Sequence, residues 1–190
     1  MSRYVEPVRN REDVQKLWQY LLEYDRRYAM IWKFGCNTIL RISDILALKY
    51  EDIIYKGQIV EMIFLREGKT GKAKTVYFNS GLVQALSDYV ESENIQPKEF
   101  LFYHSPHHRK EAIDRRSAWR VIKRAANKCG LEGNIGTHSM RKSLAYAIYE
   151  IDHDIAKVMI MLNHSSPKTT LSYLGITQNQ IAETYRTVQL

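Results

Sequence analysis

The chain has 190 residues, 45% of them hydrophobic and 26% charged. That suffices for one domain with its own buried core and is too apolar for a disordered tail. The opening residues carry no apolar signal core and no apolar run approaches the roughly 20 residues of a membrane span, so a cytoplasmic, non-membrane protein is expected.

Asn10-Arg11-Glu12 opens a helix in which Val14, Leu17, Trp18, Leu21 and Leu22 recur at helical spacing. The apolar stretch Tyr28 to Leu40 predicts a second helix. Arg41 to Leu48, with Ile42, Ile45, Leu46 and Leu48, predicts a short buried one. Strand chemistry follows. Gln58 to Leu65 and Lys74 to Phe78 flank the Gly-bearing turn Arg66 to Lys72 and predict a β-hairpin, with Asp52 to Tyr55 as a short third strand. Leu82, Leu86 and Tyr89 mark a helix near 80–93, with Asp88, Glu91 and Glu93 on its solvated face. Residues 115–129 predict a strongly amphipathic helix. Trp119, Ile122, Ala126 and Cys129 form its apolar side, opposite Arg116, Arg120, Lys123, Arg124 and Lys128. Thr137 is the expected N-cap of a helix from His138 to about Tyr149. Further helices are predicted near 153–162, 167–174 and 177–186. The sum is an α+β chain, mostly α, with a small antiparallel β-sheet.

Lysine and arginine exceed aspartate and glutamate by 28 − 21 = 7. The excess is focused: residues 101–130 hold Arg109, Lys110, Arg115, Arg116, Arg120, Lys123, Arg124 and Lys128 against Glu111 and Asp114. A field concentrated in this way favours a polyanionic partner, most simply nucleic acid, although composition alone leaves a solubilising surface open. Cys36 and Cys129 are far apart in sequence and outside any metal-type spacing, so two lone buried thiols are expected.

Four features carry chemistry. His138 and Arg141 stand three apart at a helix start and share a face. Asn163-His164-Ser165-Ser166-Pro167 is a polar break between helices. Tyr173 follows on the helix that Pro167 opens, and Lys69 sits at the hairpin tip. Singly, each has an ordinary structural reading: a capping pair, a helix-end histidine, one tyrosine of thirteen, a surface turn lysine. Arg41 has one too, as an ion-pair partner of Asp44 or Glu51. Gly68-Lys69-Thr70 is not a phosphate-binding loop, because Ile63 stands where the first glycine is required and the segment lies between strands. His104, His107 and His108 lack the companion cysteine or carboxylate of a metal site and read as a solvated loop.

Together, Arg41, Lys69, His138, Arg141, His164 and Tyr173 resemble, in chain order, the catalytic set of the tyrosine recombinase (phage integrase) family. Thr38 to Leu48 resembles its first arginine box and Gly68 to Lys72 its hairpin lysine. Thr137-His138-Ser139-Met140-Arg141 matches its His-x-x-Arg box, and Leu162 to Tyr173 matches its second histidine and nucleophile. The sequence departs at Ile39 and Asn163, where the family usually has glycine, and at Ser139 and Lys142. The helical DNA-clamping domain that precedes the catalytic domain in larger members has no counterpart in these residues, so a single catalytic domain over 1–190 is expected, either a natural single-domain member similar to the fimbrial switch recombinases or a catalytic domain cut from a longer protein.

The resemblance implies a helical catalytic fold with a small sheet at one edge, and site-specific DNA recombination through a 3′-phosphotyrosyl bond without metal or ATP. Tyr173 is the implied nucleophile, with nearby cations expected to favour its phenolate. Arg41 and Arg141 would hold the non-bridging oxygens and Lys69 would protonate the leaving 5′-oxygen. His138 would assist proton transfer at Tyr173, and His164 would donate a hydrogen bond to the phosphate. The helix at 115–129 is implied to meet double-stranded DNA through Arg116, Arg120, Lys123 and Arg124. A homotetramer on two DNA sites is implied, with a monomer expected off DNA and the tail Thr177 to Leu190 docking on a neighbour through Ile181, Tyr185 and Val188. The same residues would serve a type IB topoisomerase or a telomere resolvase. Outside the enzymes, the alternative is a non-catalytic DNA-binding protein on a decayed integrase fold.

Overall fold

The computed structural model describes residues 5–175 and 186–187. Helix α1 (Arg11–Tyr24) starts where the Asn10 side chain accepts from the Glu12 N–H at 2.9 Å. It ends at Asp25, which leaves helical dihedrals and at once caps α2 (Arg26–Thr38) by accepting from the Arg27 N–H. The chain continues through α3 (Ile42–Leu46), α4 (Tyr50–Ile53), four short strands, α5 (Ser80–Ser92), α6 (Arg115–Lys128), α7 (Thr137–Asp152), α8 (Ile155–Leu162) and α9 (Pro167–Leu174). The strands form two separate antiparallel hairpins, β1 (Ile54–Tyr55) with β2 (Gln58–Ile59) and β3 (Met62–Arg66) with β4 (Ala73–Tyr77).

Helix α2 is the axis of the molecule. Helices α1, α3, α5, α6 and α7 all pack on it, and Ala29, Met30, Ile31, Trp32, Phe34 and Gly35 are buried along it. Trp32 Nε1 donates to the Val14 carbonyl at 3.0 Å, and Phe34 meets Phe78 and Phe102 edge-on. A second, smaller core joins Ile39, Ala145, Val158, Leu162 and Leu174, and it carries α8 and α9. The close approach of α7 to α2 depends on Gly35. A Cβ there would lie 2.5 Å from Met140 Sδ and 2.9 Å from Met140 Cβ. Gly35→Ala should therefore cost about 1–3 kcal/mol by overpacking, read as a lower thermal midpoint; an unchanged midpoint would mean that Met140 moves aside freely.

Several expectations change. The strand predicted over 58–65 is broken at Val60 and Glu61, and its first part pairs with 54–55 rather than joining one three-stranded sheet. Lys56 and Gly57 both have positive φ (51° and 78°), the conformation of a tight hairpin turn, which folds 54–59 upon itself. Thr137 is not the N-cap of α7 but its first residue. Gly136 precedes it in extended conformation, donating its N–H to Ser139 Oγ at 3.0 Å. Trp119 is 46% exposed and leaves the buried seam of α6 to Ala118, Ile122, Ala125 and Ala126. Small residues suit that seam because α6 approaches both α1 and α2. The helix expected from Arg41 to Leu48 stops at Leu46, and that expected from 153 starts at Ile155, capped by Asp154. The segment expected over 177–186 and the docking tail lie outside the described residues, save for Arg186 and Thr187. Cys36 and Cys129 are unpaired, Cys129 buried and Cys36 half-buried. Among the described residues no helix is long and apolar enough to cross a membrane.

Candidate active site

Five chain segments converge beside the β3–β4 hairpin. The first is the exit from α2. Ile39 adopts the left-handed region (φ 50°) and turns the chain, while its side chain plugs the small core. Arg41 then caps α3 from an extended backbone. Neither Asp44 nor Glu51 is its partner. Arg41 Nη1 lies 2.6 Å from Glu67 Oε2, close but without the alignment of a good hydrogen bond. Asp44 instead accepts from the Gly68 N–H at 3.0 Å and so holds the hairpin turn.

The turn is the second segment. Glu67 closes it, with its N–H donating to the Lys72 carbonyl and its own carbonyl accepting from Gly71. Its side chain, in a residue only 1% exposed, accepts from Thr70 Oγ1 at 2.7 Å. Lys69 stands exposed at the tip between these bonds. Burial alone would raise the Glu67 carboxyl, but Arg41, Thr70 and Lys74 bring it down to about 2. Lys74, on the inward face of β4, is lowered to about 8, first by burial and then by Arg141.

The third segment is the first turn of α7. Arg141 is 3% exposed. Its Nη2 donates to the Leu162 carbonyl at 2.7 Å and its Nη1 lies 3.7 Å from Glu67 Oε1. His138, one turn earlier, stays accessible although protein atoms crowd around it. Its pKa is lowered by desolvation and then by Arg141, Lys142, Lys69 and Arg41.

The fourth segment is the end of α8. A helix leaves its last carbonyls without intrahelical partners at the negative end of its dipole. Here Lys74 Nζ donates to Met161 O at 2.6 Å, Arg141 Nη2 to Leu162 O, and Lys72 Nζ to Asn163 O at 3.4 Å. Hairpin and α7 are thereby tied to one helix terminus. Asn163 takes the left-handed conformation (φ 56°) that ends α8, and the His164 N–H returns to Met159 O. The two positions where the sequence departs from glycine, 39 and 163, are thus both left-handed.

Helix α9 is the fifth. Pro167 starts it at a position that needs no N–H, and Thr170 on its first turn meets His164 Nδ1 at 3.1 Å. Tyr173 stacks edge-on to His164 with ring centroids 5.2 Å apart, and Lys142 Nζ lies 5.0 Å from the Tyr173 centroid. The Tyr173 hydroxyl is buried without a well-aligned hydrogen bond, near Arg141. Arg141 and Arg41 do pull its pKa down as expected, but burial outweighs them and holds it above the ordinary value, so the phenol is protonated at neutral pH. His164 is lowered by desolvation, then by Arg141 and Arg41, against the opposing pull of Glu67. Both imidazoles are thereby shifted toward their neutral form.

The six residues singled out in the sequence therefore gather in one region. Arg41 and Arg141 lie at its buried centre, His164 and Tyr173 are in ring contact, and His138 and Lys69 sit toward solvent. Sequence reading missed Glu67 and Lys74. The signal was present: in the period-2 alternation, Ile63 and Leu65 point inward before Glu67, as Val76 does after Lys74. On α6, Arg116, Arg120 and Arg124 are exposed, while Lys123 is half-buried and donates to Asn134 Oδ1 at 2.9 Å. Trp119 lies against Gly136, so this basic face adjoins the start of α7.

The sequence profile described as Phage integrase family matches residues 9–180. A relative in Bacillus subtilis (strain 168), "Probable integrase/recombinase YoeC", is 37% identical over 182 residues, which is 96% of either chain. "Tyrosine recombinase XerA" of Pyrococcus furiosus is 29% identical over 90% of this chain, which spans only 58% of that protein. Among solved structures, the XerH site-specific recombinase bound to palindromic difH substrate, in a post-cleavage complex, superposes with a TM-score of 0.72 at 23% identity, over 98% of this chain and 54% of that one.

Proposed function

The chain belongs to the phage integrase family, the class of tyrosine-type site-specific recombinases, and on that premise we propose that it cuts and rejoins double-stranded DNA through a 3′-phosphotyrosyl intermediate. The observation that carries this reading is Tyr173 itself, its hydroxyl buried beside Arg141 in the same cluster as Arg41 and its ring in contact with that of His164.

Tyr173 is the nucleophile. Its phenol oxygen bonds to phosphorus as the bond to the 5′-oxygen breaks. The neutral His138 takes up the phenol proton, and Lys69, at the turn tip, gives a proton to the leaving oxygen. Arg41 and Arg141 hold the non-bridging oxygens with rigid donor forks, and His164 donates a hydrogen bond to one of them. A scissile phosphate adds negative charge beside Tyr173 while covering it from water, so its placement between the arginines matters more than the resting pKa of the phenol. One phosphodiester is exchanged for another, so the bond energy is retained and neither ATP nor a metal ion enters the scheme. A partner strand's 5′-hydroxyl then reverses the step. Such exchange needs a homotetramer on two DNA sites, assembled from monomers. The 190 residues act as one catalytic unit in the cytoplasm.

A pool of nicked duplexes of randomised sequence tests this reading, because the short cleaved fragment diffuses away and traps the adduct. A covalent protein–DNA band on a denaturing gel is the expected result. Binding without any adduct, over a range of salt and added divalent metal, would favour the non-catalytic alternative.

The exposed face of α6 supplies the DNA contact, through Arg116, Arg120 and Arg124 with Lys123 at its edge. Arg120→Ala should weaken binding on all sequences alike and lower the slope of log affinity against log salt by about one unit. An unchanged slope would remove Arg120 from the phosphate contacts.

A further inference from the structure

The carboxylate of Glu67 is buried in the middle of the proposed phosphate site, where a plain reading of charge would allow none. It lies 2.6 Å from Arg41 Nη1, 3.7 Å from Arg141 Nη1 and 3.8 Å from Lys74 Nζ. The same side chain accepts from Thr70, and the Glu67 backbone closes the turn that presents Lys69. We propose that Glu67 is a positioning residue for DNA cleavage, an internal counter-anion that fixes Arg41 against Arg141 and sets the Lys69 turn in register with them. The inference rests on the recombinase reading above and goes beyond it.

Two physical arguments support it. The first is geometric. Arg41 is the N-cap of α3, Arg141 comes from α7 and Lys74 from β4. Three cations drawn from separate elements repel one another inside a poorly solvated space, and one ionised carboxylate between them makes their convergence stable. The second is a charge balance. Counting the four cations Arg41, Arg141, Lys74 and Lys69 against the two carboxylates Glu67 and Asp44, the site carries a net charge of 4 − 2 = +2. A phosphodiester carries one negative charge, and attack by a phenolate brings a second. The residual charge therefore matches the transition state better than the resting DNA, which is what raises a rate rather than an affinity.

A rival role gives opposite signs. If Glu67 only competed with the phosphate, neutralising it would tighten DNA binding and speed cleavage. A positioning role predicts that Glu67→Gln slows single-turnover adduct formation by about 10- to 100-fold while DNA affinity stays within a few-fold. It also predicts a change in pH profile. The groups facing Lys74 are Arg41 and Asp44 from α3, Glu67 from the turn, Arg141 from α7 and His164 after α8. Of these, Glu67 and Asp44 keep Lys74 protonated, so without the Glu67 charge Lys74 loses its proton at lower pH. The alkaline fall in the cleavage rate of Glu67→Gln should move to lower pH than that of the unaltered protein.

The unaltered protein is run alongside on the same nicked duplexes. If it forms no adduct, the recombinase reading fails first. If it does, and Glu67→Gln cleaves as fast or faster, binds DNA much more weakly, or is slower with an unmoved alkaline limb, the positioning role is overturned. Should Glu67→Gln fail to fold, Thr70→Val decides. It removes, from an exposed residue, the hydroxyl that donates to Glu67 at 2.7 Å and accepts a longer bond from the Lys72 N–H at 3.3 Å, and should slow adduct formation by about 3- to 10-fold at unchanged affinity. Unchanged cleavage in Thr70→Val would overturn the proposal.

Discussion

Tyr173→Phe should form no covalent adduct on nicked duplexes, a loss on the order of 10³-fold or more, while binding DNA as the unaltered protein does. The substitution removes one oxygen and leaves the ring. The edge-on contact with His164 at 5.2 Å and the Lys142 ammonium 5.0 Å from the centroid are both contacts of the ring, not of the hydroxyl. Because the hydroxyl is buried without a well-aligned partner, removing it should not destabilise the fold and should raise stability by up to about 1 kcal/mol. The two measurements, adduct by denaturing gel and midpoint by thermal melting, are expected to move apart. Persistence of the adduct would assign the nucleophile to another residue. A large fall in midpoint would instead make Tyr173 a packing residue.

Arg141→Lys should slow cleavage by about 10²- to 10³-fold, the scale on which a single preorganised donor to a developing anion acts. It keeps the charge, so long-range attraction for DNA survives and affinity should change only a few-fold. It loses the fork. One arm of Arg141 is committed to the Leu162 carbonyl at 2.7 Å, and the other lies 3.7 Å from Glu67. A lysine has one nitrogen on a flexible stem and cannot reach the end of α8 and the phosphate site together. The Leu162 carbonyl, left without its donor, should also cost about 1–3 kcal/mol of stability. Rates under single-turnover conditions, compared with affinity for uncut duplex, check both parts. Cleavage at the unaltered rate would show that Arg141 acts by charge alone.

Much of the site was legible before folding. His138 and Arg141 share a face because three residues make most of a helical turn, and Pro167 marks the start of α9 because it has no N–H to lose. The amphipathic periods of α5 and α6 placed those helices within a residue of their observed ends, and the polar Asn10-Arg11-Glu12 marked the start of α1. Errors arose where a local preference competed with a distant contact. Trp119 is apolar, yet it stands 46% exposed beside Gly136, and the buried seam of α6 is made by Ala118, Ile122, Ala125 and Ala126. Ile39 is a β-branched residue that normally avoids positive φ. It is held there because its side chain fills the core beneath α8 and α9.

The sequence by itself determined the family, the helical period of the main elements, the concentration of charge on α6 and the identity of six polar residues at recognisable spacings. Only the tertiary structure decided that Arg41 pairs with Glu67 rather than with a near neighbour, that Arg141 and Lys74 gather around the same carboxylate, and that burial raises the Tyr173 phenol against the pull of both arginines. The reason is physical. Periodicity is set by neighbours a few bonds apart, whereas the cost of burying a charge depends on which opposite charges lie within a few ångströms. Here those charges come from α3, β4 and α7, and nothing local to position 67 encodes their arrival.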